Sequence, residues 1–254
     1  MTSSEALESL DATPDLLSDD ERKFLDEQGY LPLGRILTDE ETGYARERID
    51  ELGRIEGENA GQELHKEVGT VRLANLLEKD PAFEKFVTTP RVLAAITHVI
   101  GTSIQLSSLS SRASLPGHGQ QGFHADWHEP VEPGNYFVCN AAWMIDDFST
   151  ENGGTRIIPG SHLRRQLPQD ALSDRESDQL DQVNITGKAG SVVIFNSHLW
   201  HAGAENRTSA ARRVVLSYFT RSDSTYIQND HKELLSDETK IRLSKEALAL
   251  AAAG

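Results

Sequence analysis

The sequence predicts a mainly β protein with helices, built as a sandwich or a barrel behind an N-terminal helical part. The first observation is a series of short apolar runs after residue 101, punctuated by glycine and proline, at 104–115, 136–145, 155–158, 183–186, 191–195 and 213–219. Many short strands joined by such turns are typical of sandwiches and barrels. The second observation is that helix start and stop signals dominate the first hundred residues.

The composition is that of an ordinary globular protein and excludes some classes of function. The chain has 254 residues, of which 37% are hydrophobic and 26% charged, and its net charge is −15. An acidic protein is poorly suited to nucleic acid, which favours a basic surface. No apolar run approaches the roughly 18 residues of a membrane span, and the first 20 residues lack the pattern of a secretory signal. With a single cysteine, Cys139, we expect a cytoplasmic protein that binds neither nucleic acid nor membrane.

The N-terminal part is predicted to begin with a tail and two capped helices. Residues 1–17 are polar and acidic, which is typical of a mobile tail. Ser18 is placed to cap a helix that Gly29 ends. A capping box at residues 38–41 predicts a second helix that runs to about residue 56.

The remaining helical signals lie before residue 102. Residues 57–69 are polar and rich in glycine, so we expect a loop. Asp80-Pro81 and Thr89-Pro90 each place a cap residue before a proline, which favours a helix start, and Gly101 follows the second helix.

The C-terminal part contains the predicted strands, a polar excursion at 169–182 and a helix at about 236–250. We therefore predict a single domain over 18–254, with a helical part at about 18–101, a barrel core at about 102–225 and the C-terminal helix.

A metal site is predicted around the segment 122–128. His124 and Asp126 are separated by two positions, so on an extended strand both side chains leave the same face. His201 follows a later apolar strand and could supply a third ligand. Two histidines and one carboxylate suit iron(II) and leave coordination positions open. A lone His-x-Asp also occurs by chance, in which case both residues are polar side chains on a solvated strand face.

Two further residues are candidates for binding a co-substrate. Arg212 can lie beside the strand of His201 if residues 203–209 form a turn, and there it could bind a carboxylate; Arg213 would face the opposite way. Surface solubility is the alternative role for an arginine. Thr155 follows an Asn-Gly turn that favours a hairpin, and a hairpin does not exclude a role in the site.

Taken together in chain order, these motifs resemble the phytanoyl-CoA dioxygenase family of iron(II)/2-oxoglutarate-dependent oxygenases. The resemblance covers about residues 20–225 and is carried by His124-x-Asp126, the run 151–155 leading into Ile-Pro-Gly-Ser-His at 158–162, Gly-Ser-Val-Val-Ile-Phe at 190–195, His201-x-Gly203 and Arg212.

The resemblance implies a double-stranded β-helix, that is, a jelly-roll or cupin-like barrel, with supporting helices. It implies that His124, Asp126 and His201 bind Fe(II), that Arg212 binds the distal carboxylate of 2-oxoglutarate, and that Thr155 and Gln121 assist this co-substrate. Halogenating members replace the carboxylate ligand with a small residue, so Asp126 argues against halogenation.

The resemblance also implies a reaction in which O2 and 2-oxoglutarate are consumed, succinate and CO2 are released, and an unactivated C–H bond of a small-molecule substrate is hydroxylated. Desaturation, epimerisation, endoperoxidation and cyclisation use the same ligands and remain open. A rival of another class is a cupin-like protein that binds a metal or small molecule without turnover. The segments 57–75, 112–121 and 163–182 are expected to select the substrate, and the oligomeric state is not predicted.

Other residues receive weaker predictions. Cys139 and His162 are expected to be structural, and Trp127 and Trp200 to pack outward. His128 could face the site, His118 could cover it, and Arg112 and Asn140 could contact substrate from core strands; the pair His198 and His201 would suit a zinc site only on a helix. His65, His98 and His231 give no signal.

Overall fold

The strands form two antiparallel sheets in the computed structural model, which describes residues 1–64 and 66–254. In chain order they are β1 (Tyr30–Arg35), β2 (Thr70–Leu73), β3 (Ile104–Ser114), β4 (Val138–Met144), β5 (Thr155–Ile157), β6 (Val183–Asn184), β7 (Ser191–Asn196), β8 (His201–Gly203) and β9 (Arg212–Arg221). The large sheet has the order β1-β7-β4-β9-β3-β2 and the small sheet the order β6-β5-β8. The prediction of a mainly β protein is therefore confirmed.

The helices lie mostly before β3 and after β9. They are α1 (Ser3–Ser9), α2 (Asp19–Gln28), α3 (Asp39–Glu56), α4 (Leu76–Lys79), α5 (Lys85–Thr88), α6 (Pro90–Ile100), α7 (Pro168–Ala171), α8 (His231–Leu234), α9 (Asp237–Arg242) and α10 (Lys245–Leu250), with 3₁₀ turns at Pro14–Leu16, Gly57–Asn59, Pro81–Glu84 and Ser161–Leu163. Within the described residues, no helix has both the length and the apolar character to cross a membrane.

The predicted helix starts are confirmed at the level of individual hydrogen bonds. Ser18 caps α2 by accepting from the backbone N–H of Glu21, and Thr38 caps α3 by accepting from that of Glu41. In both helices the glutamate returns a bond to the N–H of the cap residue, so two otherwise unpaired donors are satisfied. These local signals position the helices that cover the large sheet.

The two faces of the large sheet have different tasks, as β4 shows. Cys139, Ala141 and Trp143 belong to the core cluster that includes the helices. Ala142 and Met144 alternate with them and belong to the cluster between the two sheets. Because successive side chains of a strand point to opposite faces, β4 is buried on both sides and reads as a continuous apolar run. The expectation that Cys139 is a buried structural thiol is confirmed.

An irregularity in β3 changes which side chains face the small sheet. The pairing of β3 with β9 shifts register between Leu106 and Ser108, so Ser107 is an inserted residue. Beyond this bulge, Leu109 packs in the helix-side core, whereas Ser108, Ser110 and Arg112 line the cavity between the sheets.

The prediction of a mobile tail at residues 1–17 is wrong. Thr2 and Glu5 form a capping box that begins α1, and Leu7 is buried. Leu7 shares a core cluster with Leu250 of α10, so the two ends of the chain pack together. The acidic composition of this segment hid a short amphipathic helix whose apolar side chains have a distant partner.

The single C-terminal helix predicted at 236–250 is also corrected. Leu243 has an extended conformation with ψ of 146°, which ends α9. Ser244 then caps α10 by accepting from the N–H of Ala247. A serine at this position competes for the backbone and favours a cap over a helix interior, so the segment forms two short helices.

Candidate metal centre

A single β-bridge brings the two candidate histidine ligands together. The backbone N–H of His124 donates to the carbonyl of His201, and the N–H of His201 donates to that of His124, each at 2.9 Å. His201 begins β8, whereas His124 lies outside the strands of either sheet. The strand predicted to carry His124 and Asp126 is reduced to this single bridge, and Asp126 lies in a bend.

The side chains of His124, Asp126 and His201 converge on one point. Asp126 Oδ1 lies 3.6 Å from His201 Nε2 and 3.9 Å from His124 Nε2. The ligand atoms of the three residues all lie within 4.8 Å of one another. Metal–ligand bonds of about 2.0–2.2 Å, as for zinc with nitrogen and oxygen, allow one ion to contact all three.

Both histidines are held with Nε2 directed to this point. The Nδ1 atom of His124 lies 3.0 Å from the carbonyl oxygen of Gly122, and that of His201 lies 2.8 Å from the carbonyl oxygen of Leu199. A carbonyl only accepts hydrogen bonds, so Nδ1 carries the proton and donates. The lone pair of each neutral ring is then on Nε2, which is the arrangement that metal-binding histidines use.

The electrostatics of the site keep His124 neutral and Asp126 ionised, and they favour positive charge at His201. Burial, together with nearby His201, lowers the pKa of His124 to about 4. Burial by itself would raise the pKa of Asp126, but the two histidines outweigh it and lower the pKa to about 2. For His201, burial is opposed by attraction and a hydrogen bond to Asp126, and the pKa is raised. The group is therefore arranged to hold a cation.

The backbone of Asp126 is fixed from both sides. Its N–H donates to the carbonyl of Ser197 at 2.8 Å, and its carbonyl accepts from the hydroxyl of Tyr218 at 3.1 Å. Ser197 follows β7 and Tyr218 lies on β9, so the carboxylate is positioned by the large sheet although it lies outside both sheets.

Arg212 is a buried cation on the cavity wall. Its side chain donates to Ser114 Oγ at 3.1 Å and to the carbonyl of Gly153, and its guanidinium lies 4.6 Å from the ring centre of Phe148. Among the described residues no carboxylate forms a salt bridge with it, and its Nε has no hydrogen-bond partner. Burial, with a smaller contribution from Arg112, lowers the pKa of Arg212 to about 9, so it is still protonated at neutral pH. A buried unpaired cation favours an anionic ligand.

The expected route from His201 to Arg212 is wrong. β8 pairs with β5 in the small sheet, whereas β9 pairs with β3 and β4 in the large one, so the two residues do not lie on adjacent strands. The intervening residues cross between the sheets, and Asn206 holds this crossing by donating to the carbonyls of Ser114 and Ala210. Both side chains nevertheless line the same cavity. Arg213 points away, as expected, and pairs with Asp50 and Asp146.

Gln121 and Thr155 both reach the cavity, but they differ in how their side chains are engaged. Gln121 Oε1 accepts from the N–H of Gly203 at 2.9 Å, and its Nε2 donates to Glu67 at 3.3 Å. Thr155 pairs with Gly203 in register, and no other described residue forms a hydrogen bond with its hydroxyl. Gln121 is therefore occupied in supporting β8, whereas the Thr155 hydroxyl is available to a ligand.

The cavity that joins these groups has a volume of about 190 Å³. Its remaining walls come from strands of the large sheet, from the segment that precedes and includes β2, and from the segment after β9. They include Glu67, Arg72, Ser108, Ser110, Arg112, Asn140, Phe195, Val214, Leu216, Tyr218 and Gln228. Arg112 and Asn140 lie on the core strands β3 and β4, as predicted, and both line the cavity, while their contact with substrate stays a prediction. Asn140 Oδ1 is buried and has no partner among the described residues, so it offers an acceptor to a ligand.

Sequence reasoning singled out none of the cavity residues Glu67, Arg72 and Tyr218, although the first two lie in the segment 57–75 that was expected to select the substrate. Alternation along β9 could have found Tyr218, which shares the face of Arg212. Glu67 and Arg72 had no comparable signal, because a polar loop followed by a four-residue edge strand resembles ordinary surface. Of the three segments expected to select substrate, residues 163–182 supply no residue to the described cavity wall.

The other histidines that the structure describes do not line the cavity. His128 is exposed against Trp127, which was one of the two alternatives for it, and His118 is also exposed. His162 is buried, with Nε2 3.0 Å from the carbonyl of Asp26, which confirms a structural role. His198 is buried with Nδ1 against Asn196 and lies on no helix. His65 lies outside the described residues.

The two tryptophans beside the ligands pack away from the site, as expected. Trp200 is buried with Phe123, Ile158 and Ala202, and its backbone N–H donates to Ser161 Oγ at 2.8 Å. Trp127 stacks on Phe137 at 4.8 Å between ring centres. These contacts orient the chain on both sides of the ligand-bearing segments.

Comparison with known proteins places the chain in a family. Residues 25–214 match the family described as Phytanoyl-CoA dioxygenase (PhyH), and the chain belongs to this family. The ectoine dioxygenase of Streptomyces coelicolor is 26% identical over 243 residues, covering 80% of this chain and 78% of the relative.

Two solved structures share the fold. HygX from Streptomyces hygroscopicus, with nickel and 2-oxoglutarate bound, has a TM-score of 0.67 and 16% identity over 82% of this chain and 89% of its own. SnoK, a non-heme alpha-ketoglutarate-dependent carbocyclase from nogalamycin biosynthesis, has a TM-score of 0.64 and 22% identity over 88% of this chain and 93% of its own.

The family and the geometry together define the class of protein. The chain is an iron(II)/2-oxoglutarate-dependent dioxygenase with a jelly-roll fold, as the resemblance implied. The donor set fits the metal, because two neutral imidazoles and a carboxylate suit iron(II). The buried Arg212 without an ion-pair partner among the described residues fits a dicarboxylic co-substrate.

Proposed function

We propose that His124, Asp126 and His201 bind iron(II), that Arg212 binds the distal carboxylate of 2-oxoglutarate, and that the enzyme hydroxylates an unactivated C–H bond of a small molecule. Succinate and CO2 are the co-products. The observation that carries this proposal is the cavity itself, which has three converging ligand atoms on its wall together with a buried cation that lacks a paired carboxylate among the described residues.

The three proposed metal ligands are already oriented for an ion. Nδ1 of each histidine is fixed by a backbone carbonyl, and the carboxylate of Asp126 is ionised, so little reorganisation is needed. When bound, iron supplies the activation of O2 that is coupled to decarboxylation of 2-oxoglutarate. The carboxylate at position 126 also argues against halogenation.

Arg212 would bind the co-substrate by charge and by direction. A guanidinium presents donors in a rigid fork that matches a carboxylate, and burial strengthens the attraction because water is excluded. Ser114 and the carbonyl of Gly153 accept hydrogen bonds from one nitrogen of this fork, Nη2, and Nε has no partner among the described residues. Phe148 supports the flat face of the group.

Thr155 and Gln121 would act differently around the same co-substrate. The free hydroxyl of Thr155 can donate a hydrogen bond to a bound carboxylate. Gln121 already bonds Gly203 and Glu67, so its contribution is to hold β8 and with it His201 in position.

The size and lining of the cavity favour a small substrate. A volume of about 190 Å³ has to hold 2-oxoglutarate and the reacting part of the substrate. Serines, Asn140 and Gln228 supply hydrogen-bonding groups, while Phe195, Val214 and Leu216 supply apolar surface. Polar groups placed among apolar side chains are typical of small-molecule sites, where they fix the orientation of the ligand.

The test is a substrate screen that records succinate release in the presence of iron(II), ascorbate, 2-oxoglutarate and O2, followed by mass spectrometry of the product. Hydroxylation adds one oxygen atom to the substrate. Absence of both coupled and uncoupled succinate formation from correctly folded, iron-loaded protein would contradict the proposal.

Cyclisation or desaturation is the alternative outcome at the same site. The structural likeness to SnoK, which is described as a carbocyclase, supports cyclisation as this alternative. The same ligands serve all of these reactions, so the product mass separates cyclisation and desaturation from hydroxylation, because forming a double bond or a ring removes two hydrogen atoms whereas hydroxylation adds an oxygen.

A further inference from the structure

Two arginines lie directly opposite each other on the cavity wall. Arg72 of β2 is the register partner of Arg112 of β3, and both line the cavity. Like charges at directly opposed positions of neighbouring strands destabilise a sheet. The pair is therefore expected to be stable only when an anion lies with it.

In this structure the anion is the carboxylate of Glu67. Glu67 Oε1 lies 3.1 Å from Arg72 Nη1, and Oε2 lies 2.5 Å from Arg112 Nη2 and 3.0 Å from Arg112 Nε. Gln121 Nε2 also donates to Oε1, at 3.3 Å. The carboxylate thus occupies a cradle of nitrogen donors, with Arg112 binding it in the two-pronged way that guanidinium groups favour.

The cradle is part of the candidate active site. Arg112 donates to Ser114 Oγ at 2.8 Å, and Arg212 donates to the same oxygen at 3.1 Å, so the co-substrate arginine and the cradle share a contact. The charge of Glu67 contributes to the pKa of His124, and that of Asp126 contributes to the pKa of Arg72. A group bound in the cradle lies within electrostatic reach of the metal ligands.

Glu67 is attached differently from the arginines that hold it. Arg72 and Arg112 belong to paired strands, whereas Glu67 precedes β2 in a segment without a strand or helix. The side chains are not sealed off, since that of Glu67 is 15% exposed and that of Arg72 is 17% exposed. The paired strands therefore fix the positions of Arg72 and Arg112, whereas the carboxylate between them comes from a loop.

We propose that Arg72 and Arg112 form a subsite for a carboxylate group of the primary substrate, and that Glu67 fills this subsite until the substrate displaces it. The proposal rests on the proposed function, because it takes the cavity as the site of turnover. Exchange of one carboxylate for another preserves the charge and the hydrogen bonds of both arginines. A neutral amide in the same place would bring no negative charge to the two arginines, so the subsite selects for acids.

The experiment is chemical rescue of Glu67→Ala by acetate, read as thermal stability of the metal-free protein. The variant should unfold at a lower temperature than wild type, and acetate should restore stability saturably, whereas acetamide should not. Wild type should need about tenfold or more acetate for the same rise in unfolding temperature, because its tethered Glu67 carboxylate competes with acetate at high effective concentration.

Three variants serve as controls. Arg112→Met combined with Glu67→Ala should abolish the acetate effect. Glu67→Gln, which keeps the shape of the side chain, should fold and respond to acetate more weakly than Glu67→Ala. Glu41→Ala removes a surface partner of Lys85 and a helix-capping side chain, so it should lose stability without any rescue by acetate.

A second readout separates this proposal from the proposed function. The visible absorption of the anaerobic complex with iron(II) and 2-oxoglutarate reports co-substrate binding, and Arg112→Met should retain it. Loss of that absorption in Arg112→Met would assign the arginine pair to 2-oxoglutarate and overturn the proposal. Absence of saturable acetate rescue, or equal rescue by acetamide, would also overturn it, whatever the absorption shows.

Discussion

The main chains of His124 and His201 exchange two hydrogen bonds of 2.9 Å, which form an isolated β-bridge. Through it, an extended segment outside both sheets is attached to the first residue of β8. Each ring then uses Nδ1 on a nearby carbonyl and leaves Nε2 for a metal. The bridge thus brings together two of the three predicted metal ligands, which are far apart in sequence.

Replacement of a metal ligand should abolish turnover. We expect His124→Ala and Asp126→Ala to weaken metal binding by at least about a hundredfold, since even changes behind the ligands cost 10–100-fold. Succinate formation with saturating 2-oxoglutarate measures the effect. His128→Ala is the matched control, because His128 is exposed against Trp127 and should leave turnover unchanged. Retained turnover in both ligand variants would disprove the assignment.

Metal and co-substrate should stabilise the folded state. A ligand that binds only the native protein at a hundred times its Kd adds about 2.7 kcal/mol to the free energy of unfolding. We therefore expect nickel(II) with 2-oxoglutarate to raise the Tm of wild type and a chelator to reverse the rise. Asp126→Ala should show neither change. An equal rise in that variant would mean that the metal binds elsewhere.

Arg212→Met should impair binding of 2-oxoglutarate. Removal of one partner of a buried, hydrogen-bonded charge pair costs about 2–5 kcal/mol, so the KM for 2-oxoglutarate should rise by roughly 30-fold or more. Arg213→Met is the control on the opposite face of β9. It should lose stability through its pairs with Asp50 and Asp146 but keep the KM. Equal KM values for the two variants would rule out the assigned role.

Thr155→Val should have a smaller effect on the same constant. The change keeps the shape of the side chain and removes a hydroxyl that bonds no other described residue, so a loss of about 1 kcal/mol is expected, or roughly fivefold in KM. Thr150→Val, at an exposed position, is the control. An unchanged KM in Thr155→Val would show that the hydroxyl does not contact the co-substrate.

Stability should fall in mild acid because of His231. This residue is 1% exposed, neither ring nitrogen has a partner among the described residues, and burial lowers its pKa to about 4. The unfolded state, with a pKa near 6.5, then binds more protons than the folded state, so stability is full above about pH 6.5 and is lost as the pH falls towards 4.

The measurement is urea unfolding of wild type and His231→Gln between pH 7.5 and 5. Loss of the ionisable group should make the variant less sensitive to acid by up to about 2 kcal/mol at pH 5, as follows from 1.36 kcal/mol for each pH unit below 6.5. Parallel pH profiles for the two proteins would show that His231 does not contribute.

Local signals were sufficient for the starts of α2 and α3. Ser18 and Thr38 cap their helices by bonds to residues three positions along, and such bonds can be read from spacing alone. The failures are equally specific. The helix at Ser3–Ser9 is buried against α10 at the other end of the chain, and no local pattern indicates that partner.

The candidate site divides in the same way. The two-residue spacing of His124 and Asp126, with His201 and Arg212 later in a fixed order, predicted the chemistry. The route by which Arg212 reaches the cavity was predicted wrongly, because spacing cannot show whether a turn joins neighbouring strands or crosses between sheets. Glu67 was missed, since its meaning depends on two arginines that only strand pairing places together.

The sequence by itself determined the helix caps, the alternating strands and the kinds of atoms offered to a metal and a dicarboxylic acid, because these depend on residues close in the chain or on side-chain chemistry. The tertiary structure alone decided which side chains share a cavity. Packing of one sheet on another joins residues that are far apart in sequence, and strand pairing places Arg72 opposite Arg112. Burial of Arg212 then favours an anionic ligand beside it.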